Sequence, residues 1–321
     1  MPRAAHRVKL VLLIAGALGV GAFALAPGKQ RASIATGPAD PAIAPLLATN
    51  PEWADEFVDR PEPPEWVRGY EPVANAIGNR LLYGNHEVEV YIDQTYFGRD
   101  LLSWHQHEIK LGAQRMTPAD RARVDALIAR EQPNAAVIAA LQRAGWVSTL
   151  LRSRKSILYG YIETRLRWDG NSSGWPAFWL LPVKRGWPPE IDILEIPGDG
   201  IAHQTLHTQP HDPPPHPGVK TPITLGFHTY GVLWQPDWIS FYVDRKRTAC
   251  FATPSDMHQA MYPILNLAVG GWAHAPDSST ASPMTMDVNY VRWWSLPTAG
   301  RNGFGADGNL PPADCKPVPA K

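Results

Sequence analysis

Short segments in which apolar and polar residues alternate recur along most of the 321-residue chain. Clear examples are 86–92, 159–168, 228–234, 238–244 and 287–294, which are rich in Trp, Tyr, Val and Ile. A period of two and these residue types are typical of half-buried strands. A Pro-Asp pair in WQPDWI, between two of the segments, predicts a hairpin turn. The pattern therefore predicts an all-β fold, an antiparallel β-sandwich.

One stretch, 117–145, departs from this alternation and predicts two short helices. Thr117 is a good N-cap, a proline follows it, and Asp120 completes a capping box. A second helix is expected from Asn134 toward a stop at Gly145. We interpret the stretch as an insertion between strands. It either borders the functional site and shapes substrate choice, or covers a sheet edge.

The N-terminal 26 residues combine a basic start with an apolar run. Arg3, Arg7 and Lys9 precede an apolar stretch that ends near residue 26, which is the pattern of an export signal. We expect a signal peptide over 1–26, or alternatively an uncleaved anchor. The protein is therefore expected to be secreted or periplasmic, and to contact a membrane only if the segment is retained.

Composition divides the rest of the chain into a linker, one domain and a tail. Residues 27–51 are rich in Ala and Pro, as flexible linkers are, and 296–321 are rich in Pro and Gly and expected to be irregular. These limits leave 52–295 as a single domain. Cys250 and Cys315 could pair in an oxidising compartment and tie the tail to the domain, or remain free and distant.

The charge balance narrows the class of partner. Lys plus Arg number 30, and so do Asp plus Glu, so no net charge attracts nucleic acid or an anionic membrane. The 13 Trp residues exceed what a core commonly uses, because each buried indole N–H needs an acceptor. The surplus suggests a surface that binds flat, polar-edged rings such as sugars. We expect a monomer that binds a glycan and no nucleic acid.

The segment PPEIDILEIPGD (188–199) interleaves three carboxylates with apolar residues. On a regular strand Glu190 and Asp192 share one face, and Glu195 lies on the other. One extra residue near 193–194, a β-bulge, would bring all three onto one face. Like charges on one face repel one another and cost stability. Their presence therefore indicates a functional use.

Two carboxyls that face one cleft are what the cleavage of a glycosidic bond requires. One attacks the anomeric carbon or activates water, and the other protonates the leaving oxygen. They lie about 5–5.5 Å apart in retaining enzymes and about 6.5–9.5 Å apart in inverting ones. Spacing in the sequence does not choose between these outcomes. Asp192, between the two glutamates, could share a proton with a neighbour and raise the pKa of the acid.

The motif EIDILE (190–195) resembles the E-x-D-x-x-E signature of glycoside hydrolase family 16, the laminarinase and β-glucanase group. Other segments resemble the family in the right order, at 159–182, 227–244 and 262–272, with a weaker likeness at 53–57 and 85–93. The resemblance implies a jelly-roll sandwich with a carbohydrate cleft on its concave face. It also implies retaining hydrolysis, with Glu190 as nucleophile, Glu195 as general acid/base and Asp192 as the supporting acid.

The resemblance further implies a set of residues that contact the substrate. They are Trp175, Trp179, Trp187, His207 and Trp272. Indole faces stack on the C–H faces of sugar rings, and Trp187 is favoured because it lies three residues before Glu190. For Trp179 a role in the core is an open alternative.

Two further residues have open interpretations. Arg165 either holds a substrate hydroxyl or carboxylate, or pairs with Glu163. His207 shares a predicted strand with His203, which invites a metal interpretation. The glutamate of a helical zinc motif is absent, so we expect no metal in the site and a surface role for His203.

The resemblance implies no cofactor for catalysis, but it raises the question of a structural calcium ion. Many family members bind calcium through an Asp in the last strand. Here Asn289 stands at that place, and Asp287 precedes it by two residues. An Asn carbonyl can ligate calcium with less charge than a carboxylate, so a structural calcium site is left open.

Three functions are compatible with the sequence. The leading hypothesis is an endo-acting hydrolase of a β-1,3-linked or mixed β-1,3/1,4-linked glucan, or of a related exopolysaccharide. The first alternative is a transglycosylase that uses the same residues with a sugar hydroxyl as acceptor. The second is a non-catalytic carbohydrate-binding sandwich, which predicts the loss of at least one catalytic carboxylate. All three carboxylates are present.

Overall fold

The computed structural model describes residues 37–58, 65–69, 77, 80–81, 84–184, 186–209, 216–297 and 315. The predicted signal peptide or anchor over 1–26 lies outside these residues. None of the helices in the described part of the chain combines the length and the apolar character that crossing a membrane requires.

The described residues form two β-sheets and a few short helices. The strands are β1 (Trp53–Asp55), β2 (Trp66–Val67), β3 (Glu89–Tyr91), β4 (Leu102–Trp104), β5 (Ile109–Arg115), β6 (Trp146–Ser148), β7 (Leu150–Ser153), β8 (Gly160–Trp168), β9 (Gly174–Pro182), β10 (Glu190–Glu195), β11 (Ile201–His207), β12 (Gly218–Pro222), β13 (Gly226–Trp234), β14 (Trp238–Val243), β15 (Lys246–Ala252), β16 (Met261–Val269) and β17 (Met284–Trp294). The helices are α1 (Ala44–Leu47), α2 (Gln94–Phe97), α3 (Pro118–Glu131) and α4 (Ala135–Arg143).

The two sheets make the sandwich that the alternation predicts. A ten-stranded sheet has the order β15-β14-β13-β8-β17-β5-β6-β3, with β1 added beside β17 and β4 beside β5. A seven-stranded sheet has the order β12-β11-β10-β9-β16-β7-β2. All strand pairs among the described residues are antiparallel except β3 with β6. The predicted all-β sandwich is confirmed.

A large apolar core lies between the sheets. On β8 it takes Ile162 and Leu166, and on β9 it takes Phe178 and Leu180. Because successive side chains of a strand point to opposite faces, the residues between these positions point away from the core. We call these two solvent-side surfaces the outer faces of the sheets. The outer face of the seven-stranded sheet carries the carboxylates of EIDILE.

The insertion folds as predicted. Thr117 and Asp120 form the capping box at the start of α3, and the Asn134 side chain accepts from the Val137 N–H at the start of α4. Apolar residues of both helices pack with β3 in a cluster of their own, separate from the main core. Its members include Val90, Ile92, Val124, Leu127, Val137 and Leu141.

The expected linker over 27–51 is wrong at its C-terminal end. Ile43 is fully buried against aromatic residues on the outer face of the ten-stranded sheet, among them Tyr161 and Trp294. The Trp294 indole N–H also donates to the Thr49 carbonyl. Composition suggested a linker, but a short apolar run, IAPLL, finds a non-local apolar surface to cover.

The C-terminal tail is covalently tied to the domain. Cys250 on β15 forms a disulfide with Cys315, and their Cα atoms lie 4.5 Å apart. Of the two alternatives for these cysteines, the structure therefore contains the pair. Residues 298–314 and 316–321 of the expected irregular tail lie outside the described residues.

Candidate active site

A β-bulge in β10 turns three carboxylates onto one outer face. Asp192 is opposite Trp179 on β9, but Leu194, two positions on, is opposite Phe178, the immediate neighbour of Trp179. The pairing of β10 with β11 shifts at the same place. Ile191, Ile193, Leu194 and Ile196 all join the core. The extra residue therefore leaves Glu190, Asp192 and Glu195 together on the outer face, as the spacing predicted.

Glu190 lies at the start of β10, where it meets an exposed tryptophan. The Trp187 indole N–H donates to Glu190 Oε2 at 3.0 Å. Trp187 is 54% exposed although it makes this bond. A large apolar ring that stays in solvent beside a carboxylate is available to stack on a ligand.

Glu195 lies at the other end of β10 under a pair of stacked rings. The Trp175 indole N–H donates to Glu195 Oε1 at 3.1 Å. Trp175 is buried, and Trp272 stacks on it with ring centroids 5.1 Å apart and planes 17° apart. Trp272 is 56% exposed, so it forms the solvent-side surface of this stack, which we call the Trp272 platform.

Asp192 lies between the two glutamates and meets a histidine from β11. His207 Nε2 is 2.9 Å from Asp192 Oδ2 and 3.9 Å from Glu190 Oε1. The His216 ring packs on the His207 ring, with centroids 4.2 Å apart. His207 therefore contacts Asp192 directly. The predicted substrate contact of His207 would have to form beside this one.

The environment of the two glutamates favours their protonated forms. Burial raises the pKa of Glu195 well above its usual range, and the charge of Asp192 raises it further. Burial and Asp192 raise the pKa of Glu190 in the same way. The Glu190 side chain is 16% exposed, so solvent screens part of this effect. Because three acids share one site, they titrate as a coupled group and not independently.

The same residues are the ones that could hold a metal ion. Among the described residues, Glu190, Asp192 and His207 form the one group of three metal-binding side chains whose ligand atoms lie within 4.8 Å of one another. His207 already contacts both carboxylates, and Trp187 occupies Glu190. Glu190 and Asp192 therefore each have a contact within the protein at this place.

Comparison with known proteins agrees with this geometry. A model of the family "Glycosyl hydrolases family 16" matches residues 113–292, more than half of the chain. The chain belongs to glycosyl hydrolase family 16. The match spans β10 and all three carboxylates. It also includes the two inserted helices.

Several curated proteins are similar to this chain in sequence. Endo-1,3-1,4-beta-glycanase ExsH of Rhizobium meliloti is 41% identical over 142 residues, which is 43% of this chain and 30% of that protein. Endo-1,3-1,4-beta-glycanase EglC of the same organism is 33% identical over 229 residues, 67% of this chain and 44% of that protein. The matched segment thus spans less than half the length of these relatives.

Solved structures of family 16 proteins share the fold. The laminarinase catalytic domain of Thermotoga maritima has a TM-score of 0.62 at 23% identity, covering 78% of this chain and 99% of that domain. The endo-beta-1,3-glucanase of Pyrococcus furiosus has a TM-score of 0.59 at 24% identity, covering 77% and 94%. At these identities the likeness bears on the fold alone.

Two predicted substrate contacts are buried under the site. Trp179 is 6% exposed, and its indole N–H donates to Asn266 Oδ1 at 2.7 Å. It packs with Tyr91, Leu150 and Ile264, so the structure favours its alternative role as a packing residue. Trp175 is buried as well and supports the Trp272 platform from beneath.

The predictions for Arg165 are wrong. Arg165 lies on β8 of the ten-stranded sheet, away from β10, where it donates to Asn289 Oδ1. Glu163 instead accepts from Arg245 at 2.6 Å. His203, for which a surface role was expected, lies 2.7 Å from Asp199. Alternation assigns a residue to a face of its strand but does not say which sheet that strand joins.

The residues at the expected calcium site are held by cationic side chains. Arg165 donates to Asn289, Arg167 Nε donates to Asp287 Oδ2 at 2.8 Å, and Lys110 Nζ lies 3.3 Å from Asp287 Oδ1. A divalent cation and guanidinium groups compete for the same oxygens. These side chains therefore do not fit a calcium site.

Sequence reasoning missed two carboxyls beside the site. Glu87 is 5% and Glu89 is 2% exposed, and the charge of Glu87 contributes to the raised pKa of Glu195. Both belong to HEVEVYI, where acids alternate with β-branched residues as they do in EIDILE. The same signal was present in both segments.

Proposed function

We propose that the protein is a retaining, endo-acting glycoside hydrolase that cleaves a β-1,3-linked or mixed β-1,3/1,4-linked glucan, or a related exopolysaccharide. The observation that carries the proposal is the convergence of Glu190, Asp192 and Glu195 on one outer face through the bulge in β10. Both Rhizobium relatives are named as endo-1,3-1,4-beta-glycanases, which supports the substrate class. The three carboxylates distinguish the proposal from a non-catalytic binding sandwich.

In the first step Glu190 attacks the anomeric carbon as a carboxylate. At the same time Glu195 donates its proton to the leaving glycosidic oxygen. The bond from the anomeric carbon to that oxygen breaks, and a covalent glycosyl ester forms on Glu190. Each glutamate receives an indole N–H, but Glu190 is the more exposed of the two. Solvent therefore offsets more of the rise in the pKa of Glu190, which assigns the attacking carboxylate to Glu190 and the proton to Glu195.

In the second step water replaces Glu190 at the anomeric carbon. Glu195, now a carboxylate, takes a proton from that water as general base, and the ester bond to Glu190 breaks. The sugar keeps its original anomeric configuration after two inversions, and both glutamates return to their starting protonation states.

Asp192 sets the proton affinity of its neighbours. Its charge lies between the two glutamates and disfavours a second negative charge on either side. This raises the pKa of Glu195 and keeps the acid protonated at a pH where a free glutamate would be ionised. His207 Nε2 lies 2.9 Å from Asp192 Oδ2 and holds this central carboxylate in place.

Two exposed indole rings frame the reacting groups and support a polysaccharide substrate. Trp187 lies beside Glu190, and the Trp272 platform lies above Glu195. Because the carboxylates lie between them, a bound chain would contact aromatic surface on both sides of the bond that breaks. This arrangement favours cleavage within a chain over removal of terminal sugars.

We also propose that the protein acts outside the cytoplasm. The disulfide between Cys250 and Cys315 supports this location, because such bonds persist in oxidising compartments. Fractionation of cells that express the full chain would test it. Recovery of the protein in the cytoplasm with both thiols free would contradict the proposal.

The function is tested by incubating the purified full chain with laminarin, lichenan, curdlan, agarose, xyloglucan and an acidic exopolysaccharide. We expect new reducing ends and a rapid fall in viscosity with a β-1,3 or mixed-linkage glucan. Glu190→Gln should abolish the reaction, whereas the exposed control Glu52→Gln should not. Absence of cleavage of all six polymers by the folded protein would overturn the proposal.

A further inference from the structure

The segment 85–91 places two buried carboxyls next to the proposed active site. The proposed reaction does not use them. Glu87 and Glu89 are almost completely buried. Glu87 precedes β3, and Glu89 is its first residue. The helices of the insertion pack against β3. A buried acid without a catalytic role needs another explanation.

The Glu89 carboxyl accepts a backbone hydrogen bond from the part of β16 that extends beyond its pairing with β7. The pairing of β16 with β7 ends where Asn266 is opposite Leu150. Beyond that point the Val88 N–H donates to the Val269 carbonyl at 3.0 Å. The Val269 N–H donates to Glu89 Oε2 at 2.9 Å. A side-chain carboxyl thus takes the place of a neighbouring strand and satisfies a buried backbone donor.

The last residues of β16 lead directly to the Trp272 platform. Gly270 and Gly271 both have left-handed backbones, with φ of 73° and 66°, which a residue with a side chain rarely adopts. A Cβ added at Gly271 would come within 3.2 Å of Glu87 Cγ and 3.0 Å of the Trp175 ring. The turn that carries Trp272 is therefore packed between the two.

The insertion contacts the segment 85–91, and this segment contacts the turn at Gly270 and Gly271. The N–H groups of Gly145 and Trp146, at the end of the insertion, both donate to the Val88 carbonyl, at 2.9 Å and 3.1 Å. Val90 packs in the same apolar cluster as Val124 and Leu141 of the inserted helices. The insertion, β3, the end of β16 and the Trp272 platform thus form one continuous series of contacts.

We propose that Glu89 is a positioning residue that fixes the Trp272 platform and, through Trp175, the general acid Glu195. The insertion over 117–145 is then the scaffold that keeps Glu89 in place. Of the two interpretations of the insertion, the proposal selects the one in which the insertion shapes the site. The inference rests on the proposed function for the role of Glu195, but the anchoring of the turn does not.

The charge state of Glu89 makes the anchor sensitive to alkali. Burial and, after it, the charge of Glu87 raise the pKa of Glu89 to about 8, and the Val269 N–H and Tyr91 oppose this rise. Glu87 and Tyr91 are the titratable groups that act on Glu89, and Glu87 in turn acts on Glu195. Above that pH an ionised Glu89 would be buried beside Glu87, which favours opening of the turn to water.

Hydrogen exchange of the free, full chain tests the anchor without any glycan. Protection of peptides covering 266–275 is measured from pH 6 to 9.5 and corrected for the intrinsic rate at each pH. We expect the native protein to lose protection about tenfold as the pH passes 8. Glu89→Gln should stay protected throughout, because its amide oxygen still accepts from Val269 without a charge.

Two further variants make the test decisive. Glu89→Leu removes the acceptor and should lose protection about tenfold even at pH 6. Glu87→Gln should shift the midpoint of the native transition to lower pH without abolishing it, because a charge that raises the pKa of Glu89 is gone. Native protection in Glu89→Leu, or an unchanged transition in Glu89→Gln, would overturn the inference.

Kinetics connect the anchor to the reaction. On a glucan that the native protein cleaves, Glu89→Leu should raise KM about tenfold at pH 6, and Glu89→Gln should restore it. An unchanged KM in Glu89→Leu would also count against the inference. If no glycan is cleaved, the proposed function fails while the exchange result stands. If cleavage occurs but exchange does not respond to Glu89, the anchor alone fails.

Discussion

The two sheets of the sandwich both carry buried carboxylates on their outer faces, but they neutralise them differently. On the ten-stranded sheet Glu163 is fully buried and receives Arg245 at 2.6 Å and the Tyr161 hydroxyl at 2.8 Å. Asp287 on the same face is held by Arg167 and Lys110. Each acid there has a cation of its own.

On the seven-stranded sheet three acids share very little positive charge. Among the described residues, His207 is the single basic side chain in contact with the carboxylates of Glu190 or Asp192, and it carries a charge only when protonated. Indole N–H groups supply the remaining bonds. An acid with a cationic partner can stay ionised when buried, and removing either partner destabilises the fold, whereas acids without such a partner cost stability and raise the pKa values of one another. The difference between the faces therefore separates structural carboxylates from chemical ones.

The largest effect should come from removing one acid on each face. Glu190→Gln should reduce kcat on the order of 10⁴-fold or more, as expected when one member of a catalytic unit is lost. Its free energy of unfolding should stay the same or rise, because a like-charge repulsion is removed. Glu163→Gln should instead leave kcat within about twofold and lower the free energy of unfolding by about 2 kcal/mol, because Arg245 loses its partner.

Steady-state kinetics and denaturant unfolding of the two variants check this contrast. The exposed substitution Glu52→Gln is the control for both. A large stability loss in Glu190→Gln, or a large activity loss in Glu163→Gln, would mean that ion pairing does not distinguish the faces.

A smaller effect is expected when the central charge is removed. Asp192→Asn should lower kcat about 10- to 100-fold and move the alkaline limb of the pH–rate profile to lower pH. The sign follows because Glu195 works protonated and Asp192 raises its pKa, so without that charge the proton is lost earlier. A pH–rate profile with an unchanged alkaline limb would show that Asp192 does not tune Glu195.

Removal of an exposed ring should affect binding more than chemistry. Trp272→Ala should raise KM about 5- to 10-fold, the size expected for a lost aromatic contact of about 1 kcal/mol. Leu225→Ala is the matched control, since Leu225 is 76% exposed and lies on neither the platform nor β10. Equal KM values for the two variants would remove the platform from the binding site.

The smallest effect concerns an ion pair of the ten-stranded sheet, between His228 on β13 and Asp244, the residue that follows β14. His228 Nδ1 lies 2.7 Å from Asp244 Oδ2, and this bond raises the pKa of His228. Burial raises the pKa of Asp244, but the bonds from His228 and Thr229 outweigh it and lower that pKa. The pair should therefore stabilise the fold between about pH 4 and 6.5, the ordinary values of the two groups.

That contribution should fade as the pH rises through the raised pKa of His228, or falls through the lowered pKa of Asp244. His228→Gln should lower the free energy of unfolding by about 1 kcal/mol or less near pH 5.5 and by less above pH 8. Urea unfolding at several pH values measures it. A stability difference that grows toward pH 8 would have the wrong sign.

The local features of this molecule could be predicted from the sequence. The bulge in β10 follows from parity, because three acids at 190, 192 and 195 cannot share a face without an extra residue. The start of α3 follows from the capping box of Thr117 and Asp120. Both depend on residues close together in the chain, and the structure contains both.

The features that could not be predicted depend on contacts distant in sequence. Arg165 was expected either to hold a substrate group or to pair with Glu163, but its strand joins the other sheet and its side chain donates to Asn289. Ile43 looked like part of a linker until an aromatic surface more than 100 residues away was found to cover it. Glu89 was overlooked because its partner, Val269, is 180 residues distant.

The most direct test of the chemical role of the unpaired acids is a covalent trap. The Glu195→Gln variant, which lacks the acid and base, is mixed with a 2-fluoro glucan oligosaccharide that carries a good leaving group, and the intact mass and peptides are measured. We predict one added glycosyl unit per chain, located on Glu190 by peptide fragmentation and absent when Glu190 is also changed to Gln. A glycosyl adduct on another residue, or turnover of the reagent with no adduct, would contradict the assignment of Glu190 as the nucleophile.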